Sequence, residues 1–203
     1  MMLTNNQSNR FLHLKLSNRL RFENTDALDR IRIQYGTSFG FPVSAVGAHV
    51  SAVPNHQTGR SAPMDTRAVV AMAGTFGYEL DLGKLSADEK EEIREQIHAY
   101  HKYAELIQKG DYFRLTDPFE EEIGAWAFVS EDKREVLLNL VMLEVHGYMT
   151  SKYVKLQGLD ADAMYREQTT GKVYSGAALM DAGLPVPMDM GEYQAKQIFF
   201  KFD

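Results

Sequence analysis

A chain of 203 residues with 28 acidic against 22 basic side chains, net charge −6, has room for one large or two small domains and no electrostatic footing for a nucleic-acid partner. It has no cysteine, which excludes disulfides, thiolate catalysis and Cys-ligated zinc and suits a cytoplasmic protein. Hydrophobic residues make up 44% and charged residues 25%, as in an ordinary globular protein, and no apolar run approaches the roughly 20 residues needed to span a bilayer.

Residues 1–21 stand apart. They carry Arg10, Lys15, Arg19 and Arg21 but no acid. Leu12, Leu16 and Leu20 share a helical face, whereas Leu12, Leu14 and Leu16 alternate as in a strand. This stretch reads as an atypical basic leader.

From Asn24 a helix is expected, capped by Asn24 or Thr25, with Asp26 in its first turn and Gly36 ending it. Leu28, Ile31 and Tyr35 give it one buried stripe. Residues 37–67 show no period and read as a long, structured connection of the kind that often wraps a site. Residues 68–82 read as a helix or short run into a buried strand, with Gly74 and Gly77 allowing close backbone approach. Ser86-Ala-Asp-Glu89 is a capping box. It opens a helix whose apolar positions are Ile93, Ile97, Tyr100, Ala104 and Ile107 and which ends at Gly110.

Beyond Asp111 the period changes from helical to alternating. AWAFVS and EVLLNLVML form a hairpin across EDKR, and KYVKLQG, AMYREQ, GKVYS and YQAKQIFFKF are four further strands, with a turn at Thr170-Gly171. Helices followed by strands indicate two units. The boundary falls between Thr116 and Glu122.

Metal chemistry finds no support. His98 and His101 are three apart on the capped helix, without the surrounding ligand pattern of a zinc site. His49 and His56, in the long connection, read as structural. There is neither a phosphate-binding loop nor a Gly-x-Ser-x-Gly elbow. Carboxylates remain: Glu23 and Asp26 lie where a strand would hand over to a helix, the position that supplies catalytic groups in parallel α/β barrels. Glycosidases use two carboxyl groups, one to protonate the leaving oxygen and one to attack or activate water. The plainer alternative is that Asp26 stabilises the helix start and Glu23 is solvated.

ENTDALDRIRIQYGTSFGFPVSAVGAHVSAVPNHQTGR, AMAGTFGYELDL and GDYFRLTDP, with AWAFVSEDK, LQGLDADAMYRE and TGKVYSGAALMDAGLP nearer the C-terminus, together resemble the microbial α-galactosidases of glycoside hydrolase family 36. The likeness runs from about Asn24 to the end. It implies an α/β plus all-β chain: residues 22–116 as the C-terminal part of a (β/α)8 TIM barrel and residues 117–203 as a small antiparallel β-sheet or sandwich domain. It also implies retaining hydrolysis of terminal α-galactosyl residues from oligosaccharides of the melibiose and raffinose type, without a cofactor.

The family's nucleophile lies in a Lys-Trp-Asp motif and its acid/base in a Ser-Asp-Asn-Thr-Asp motif. No Lys-Trp-Asp occurs here, and the single tryptophan is Trp126. The second motif reads Phe22-Glu23-Asn24-Thr25-Asp26, which puts Glu23 at the acid/base position with Asp26 in reserve, and Asn24 and Thr25 as helix-start and site-wall residues. The expectation is a truncated chain that lacks the nucleophile, is inactive alone, and associates with itself or with a complementing barrel fragment. Two alternatives stand beside it. One is a non-catalytic piece working only with such a partner. The other is a carbohydrate-binding β-module that stacks sugars on Trp126, Tyr148, Tyr153 and Tyr165.

Overall fold

The computed structural model describes residues 24–147, 151–187 and 189–203. The basic leader, Phe22, Glu23 and Tyr148 therefore lie outside the described residues.

Helix α1 spans Ala27–Thr37. Its cap is Asp26, one or two residues later than expected, because the Asp26 carboxylate itself accepts from the Leu28 and Asp29 amides. Asn24 sits one step further out and accepts from the Asp26 amide at 2.9 Å. The helix runs through Gly36 and closes at Ser38, whose hydroxyl donates to the Tyr35 carbonyl. Its inward face is Ala27, Leu28, Arg30, Ile31 and Gln34, with Tyr35 only half-buried. The buried polar groups are satisfied: Arg30 donates to the Gly47 carbonyl at 2.7 Å and Gln34 to that of Val70 at 3.3 Å.

The long connection holds more regular structure than its lack of period suggested. It contains a short 3-10 turn at Val43–Ala45, strand β1 (Val50–Ser51) and the start of helix α2 (Met64–Met72). Strand β2 (Tyr78–Glu79) pairs parallel to β1, with Val50 opposite Tyr78 and an outlying bridge between Gly47 and Thr75. Parallel neighbours need a crossover, and α2 supplies it. Gly74 is needed for this approach: a Cβ there would lie 2.6 Å from the Val46 carbonyl oxygen. At Gly77 the nearest atoms stand 4.0 Å away, so only one of the two glycines plays the expected part.

Helix α3 (Ala87–Lys109) opens with the expected capping box: Ser86 Oγ accepts from the Glu89 amide and the Glu89 carboxylate from the Ser86 amide. Gly110 ends it. The buried positions are Ile93, Gln96, Leu106 and Ile107, while Ile97 is 39% exposed. The face is rotated because Gln96 turns inward to accept from the Tyr78 hydroxyl at 2.8 Å.

The remaining strands are β3 (Asp111–Arg114), β4 (Ile123–Val129), β5 (Glu135–Met142), β6 (Tyr153–Val154), β7 (Met164–Glu167), β8 (Val173–Ser175), β9 (Leu184–Pro185) and β10 (Ala195–Phe202). Helix α4 (Gly176–Asp181) lies between β8 and β9. One antiparallel sheet has the order β3-β4-β5-β10-β7-β8, and β6 pairs with β9. The expected hairpin is β4–β5, in register from Ile123 opposite Met142 to Val129 opposite Val136. Gly171, at φ 73°, turns the chain between β7 and β8. Edge strand β3, α4 and β9 were not anticipated.

Strands β4 and β5 are buried on both faces. Trp126, Phe128, Leu137, Val141 and Phe199 face α1, α2 and α3 in one continuous core. Ala127, Val129, Leu138, Leu140, Ile198 and Phe200 face the opposite side, against Val154, Leu156, Tyr165 and Leu179. The stacking-platform alternative is thereby corrected for two of its residues: Trp126 is 5% exposed and Tyr165 not at all. The Tyr165 hydroxyl is spent inside, donating to the Lys133 carbonyl and accepting from the Asp160 amide. Tyr153 is exposed. Among the described residues no helix is long and apolar enough to cross a membrane.

Candidate active site

The loop at residues 52–60 leaves the carboxyl end of β1 and folds back on the start of α1. Because β2 runs parallel to β1, residues 24–26 and this loop lie at the end where both strands finish. Catalytic groups in parallel α/β folds collect at that end.

Asn55 organises the loop. It is 4% exposed, and its side-chain oxygen accepts from the Gln57 and Thr58 amides, an Asx turn, while its amide donates to Thr25 Oγ1 at 2.9 Å. The backbone closes on itself through Asn55 N–H to Arg60 O and Gly59 N–H to Asn55 O, each 2.8 Å. Gln57 Oε1 accepts from the Thr25 amide at 3.3 Å.

Asp26 receives the other half of the contacts. It is 3% exposed, and Thr58 donates to Oδ2 at 2.7 Å. The Arg60 guanidinium pairs with Oδ1 and reaches Asp29 Oδ1 at 3.3 Å. Asn24 donates to the other Asp29 oxygen at 2.8 Å. Burial pushes the Asp26 pKa up, but the Thr58 hydroxyl, the Asp29 amide and the Arg60 charge outweigh it and hold the carboxyl below its ordinary range. Asp26 is thus a fixed anion with both oxygens engaged. Its place at the helix start is the one the plainer reading gave it.

The structure therefore brings Asn24, Thr25 and Asp26 together, and Glu23 lies outside the described residues. Sequence reasoning missed Asn55, Thr58 and Arg60. Pro54-Asn55 with Gly59 was a readable turn signal, but nothing local names its partners some thirty residues earlier. His49 Nδ1 lies 3.6 Å from the Glu79 carboxylate, across β1 and β2, and His56 is exposed on the loop. His98 and His101 are exposed on α3, and no group of three metal-ligating side chains converges among the described residues.

Comparison with known proteins bears on this arrangement. A family model described as Melibiase matches residues 14–110, and one described as Glycosyl hydrolase family 36 C-terminal domain matches residues 123–200. The first match starts ahead of Asn24, so the likeness takes in the end of the basic leader. The bifunctional alpha-galactosidase/sucrose kinase AgaSK of Mediterraneibacter gnavus is 57% identical over 178 residues, which are 88% of this chain and 19% of that protein. Alpha-galactosidase AgaA of Geobacillus stearothermophilus is 45% identical over 171 residues, 84% of this chain and 23% of that one. Among solved structures, the galactosidase domain of AgaSK superposes with a TM-score of 0.87 at 56% identity, covering 89% of this chain and 25% of that one. A variant of AgaA in complex with raffinose gives 0.86 at 42% identity, with the same coverage.

These likenesses define a family of glycoside hydrolases. The chain belongs to glycoside hydrolase family 36, the α-galactosidase or melibiase family, and corresponds to its C-terminal portion. It spans about a quarter or less of the length of the relatives it matches.

Proposed function

We propose that this chain carries the acid/base side of the active site of a retaining α-galactosidase that cleaves terminal α-galactosyl residues from oligosaccharides of the raffinose and melibiose type. Residues 22–116 are the closing part of a (β/α)8 barrel and residues 117–203 its C-terminal β-domain. The observation that carries this reading is the hydrogen-bonded clamp on Asn24, Thr25 and Asp26 at the carboxyl end of β1 and β2. Glu23 immediately precedes that clamp in the sequence.

In this mechanism Glu23 protonates the glycosidic oxygen as the bond breaks and then, as carboxylate, deprotonates the water that releases galactose. Asn24 and Thr25 form the site wall. Asp26 is fitted to positioning rather than to proton donation, since a general acid must be protonated near neutral pH. The attacking carboxylate has to sit about 5–5.5 Å away. Residues 1–203 contain no Lys-Trp-Asp motif, so that group comes from polypeptide beyond these residues. The α-galactoside complexes of relatives, with raffinose and with stachyose, support the substrate class.

Among the described residues β1 and β2 pair only with each other. A two-stranded parallel ladder is marginal alone, which supports association with a complementing barrel segment or self-association. The test is a chimera in which residues 22–203 replace the matching segment of the AgaSK galactosidase domain. Hydrolysis of melibiose by the chimera, with none by the isolated 203-residue chain, is the expected result. Full activity of the isolated chain would overturn the reading.

A further inference from the structure

Tyr193 is a non-glycine residue held at φ 63°, in the left-handed region that Gly and Asn occupy most easily. Its backbone is pinned on both sides. The amide donates to the Met142 carbonyl at the end of β5 at 2.8 Å, and the carbonyl accepts from the hydroxyl of fully buried Thr66, on α2, at 2.7 Å. In this constrained position its ring lies under the Arg60 guanidinium, 5.8 Å from carbon to ring centroid. Arg60 turns its polar edge to Asp26 and Asp29. The guanidinium lies over an aromatic ring while its Nη1 pairs with two carboxylates, which restricts a side chain that otherwise has many rotamers. A strained backbone retained where glycine would relax points to a use for the side chain.

We infer that Tyr193 is a positioning residue: through Arg60 and Asp26 it lets the C-terminal β-sheet set the placement of the acid/base segment. Its catalytic part rests on the α-galactosidase reading given above; its structural part does not. The C-terminal sheet is then a component of the active site as well as a support for the helices. The chain of contacts runs from the β5 end and the entry to β10, through the Tyr193 ring, to Arg60, to Asp26 and so to Asn24.

Two measurements decide it. In the 203-residue chain, NMR reads the water exchange of the Arg60 Nη1 protons, which bond Asp26 and Asp29. Tyr193→Gly and Tyr193→Asn both suit the left-handed backbone but lack the ring, and should speed exchange about tenfold or more. Tyr193→Phe should keep it at the wild-type rate. In the AgaSK chimera, Tyr193→Gly should lower kcat on melibiose about tenfold or more, with KM within about twofold. Its melting temperature should stay within a few degrees of the unsubstituted chimera, because the backbone strain relieved offsets the packing that the ring loses against the core. Tyr193→Phe should restore kcat. A merely structural role predicts instead that kcat and melting temperature fall together. Wild-type exchange at Arg60 in both ring-less variants would overturn the inference, as would unchanged kcat in an active Tyr193→Gly chimera. A wild-type chimera without activity would count against the α-galactosidase reading, and the exchange measurement would still decide whether Tyr193 holds Arg60.

Discussion

The Thr58 hydroxyl donates to the Asp26 carboxylate at 2.7 Å across 32 positions of sequence. With Arg60 on the other oxygen, it makes the start of α1 and the 52–60 loop one mechanical unit, and the stability of the chain depends on that junction.

Asp26→Ala removes a helix cap, the Thr58 bond and the partner of a half-buried guanidinium together. It should destabilise the chain by about 2–4 kcal/mol, read as a lowered denaturant midpoint at neutral pH. Asp26→Asn keeps the cap and should cost less. Equal midpoints for Asp26→Ala and wild type would contradict the clamp.

The same carboxylate gives a pH signature. Its folded pKa is depressed below the ordinary 3.8, so its contribution is fully present above the unfolded value and is lost as pH falls through the folded one. The stability gap between wild type and Asp26→Asn should therefore be constant from neutral pH down to about 5 and shrink below about 4. Chemical denaturation at stepped pH checks this. A gap that widens on acidification would have the wrong sign.

Asn55→Ala deletes the Asx turn and the link to Thr25. Loop opening should become easier by about 1–2 kcal/mol, so tryptic cleavage after Arg60 should rise about tenfold when it tracks the open population. Timed proteolysis with mass spectrometry measures it, and an unchanged rate at that bond would show that Asn55 does not hold the loop.

Tyr165→Phe should cost about 1–2 kcal/mol, because the Lys133 carbonyl and the Asp160 amide both lose their partner. Galactose titration should leave Trp126 fluorescence unchanged, since the indole is buried in the core between helices and sheet. A saturable change would restore the β-sheet as a sugar platform.

Helix α3 was legible because its signals are local: a four-residue capping box, a helical period over 23 residues and a terminal glycine. Its inward face was read one step off, since Gln96 is polar and its burial depends on Tyr78, an element away. The β4–β5 hairpin was legible from apolar content and its turn. Which residues faced the helices was not, because both faces are buried and polarity leaves no alternation. Strands β1 and β2 are two residues each, too short to carry any period. The candidate site was half legible as structure. Asn24, Thr25 and Asp26 announced themselves as a helix start, whereas Asn55, Thr58 and Arg60 act through partners that only the fold brings near.

The acid role of Glu23 is tested most directly by comparing leaving groups in the AgaSK chimera. A sugar alkoxide needs a proton as it departs; a dinitrophenolate does not. Glu23→Gln should lower kcat/KM on melibiose by about 10²–10⁴-fold and on dinitrophenyl α-galactoside far less. Equal losses on the two substrates, or no loss on melibiose, would contradict the assignment.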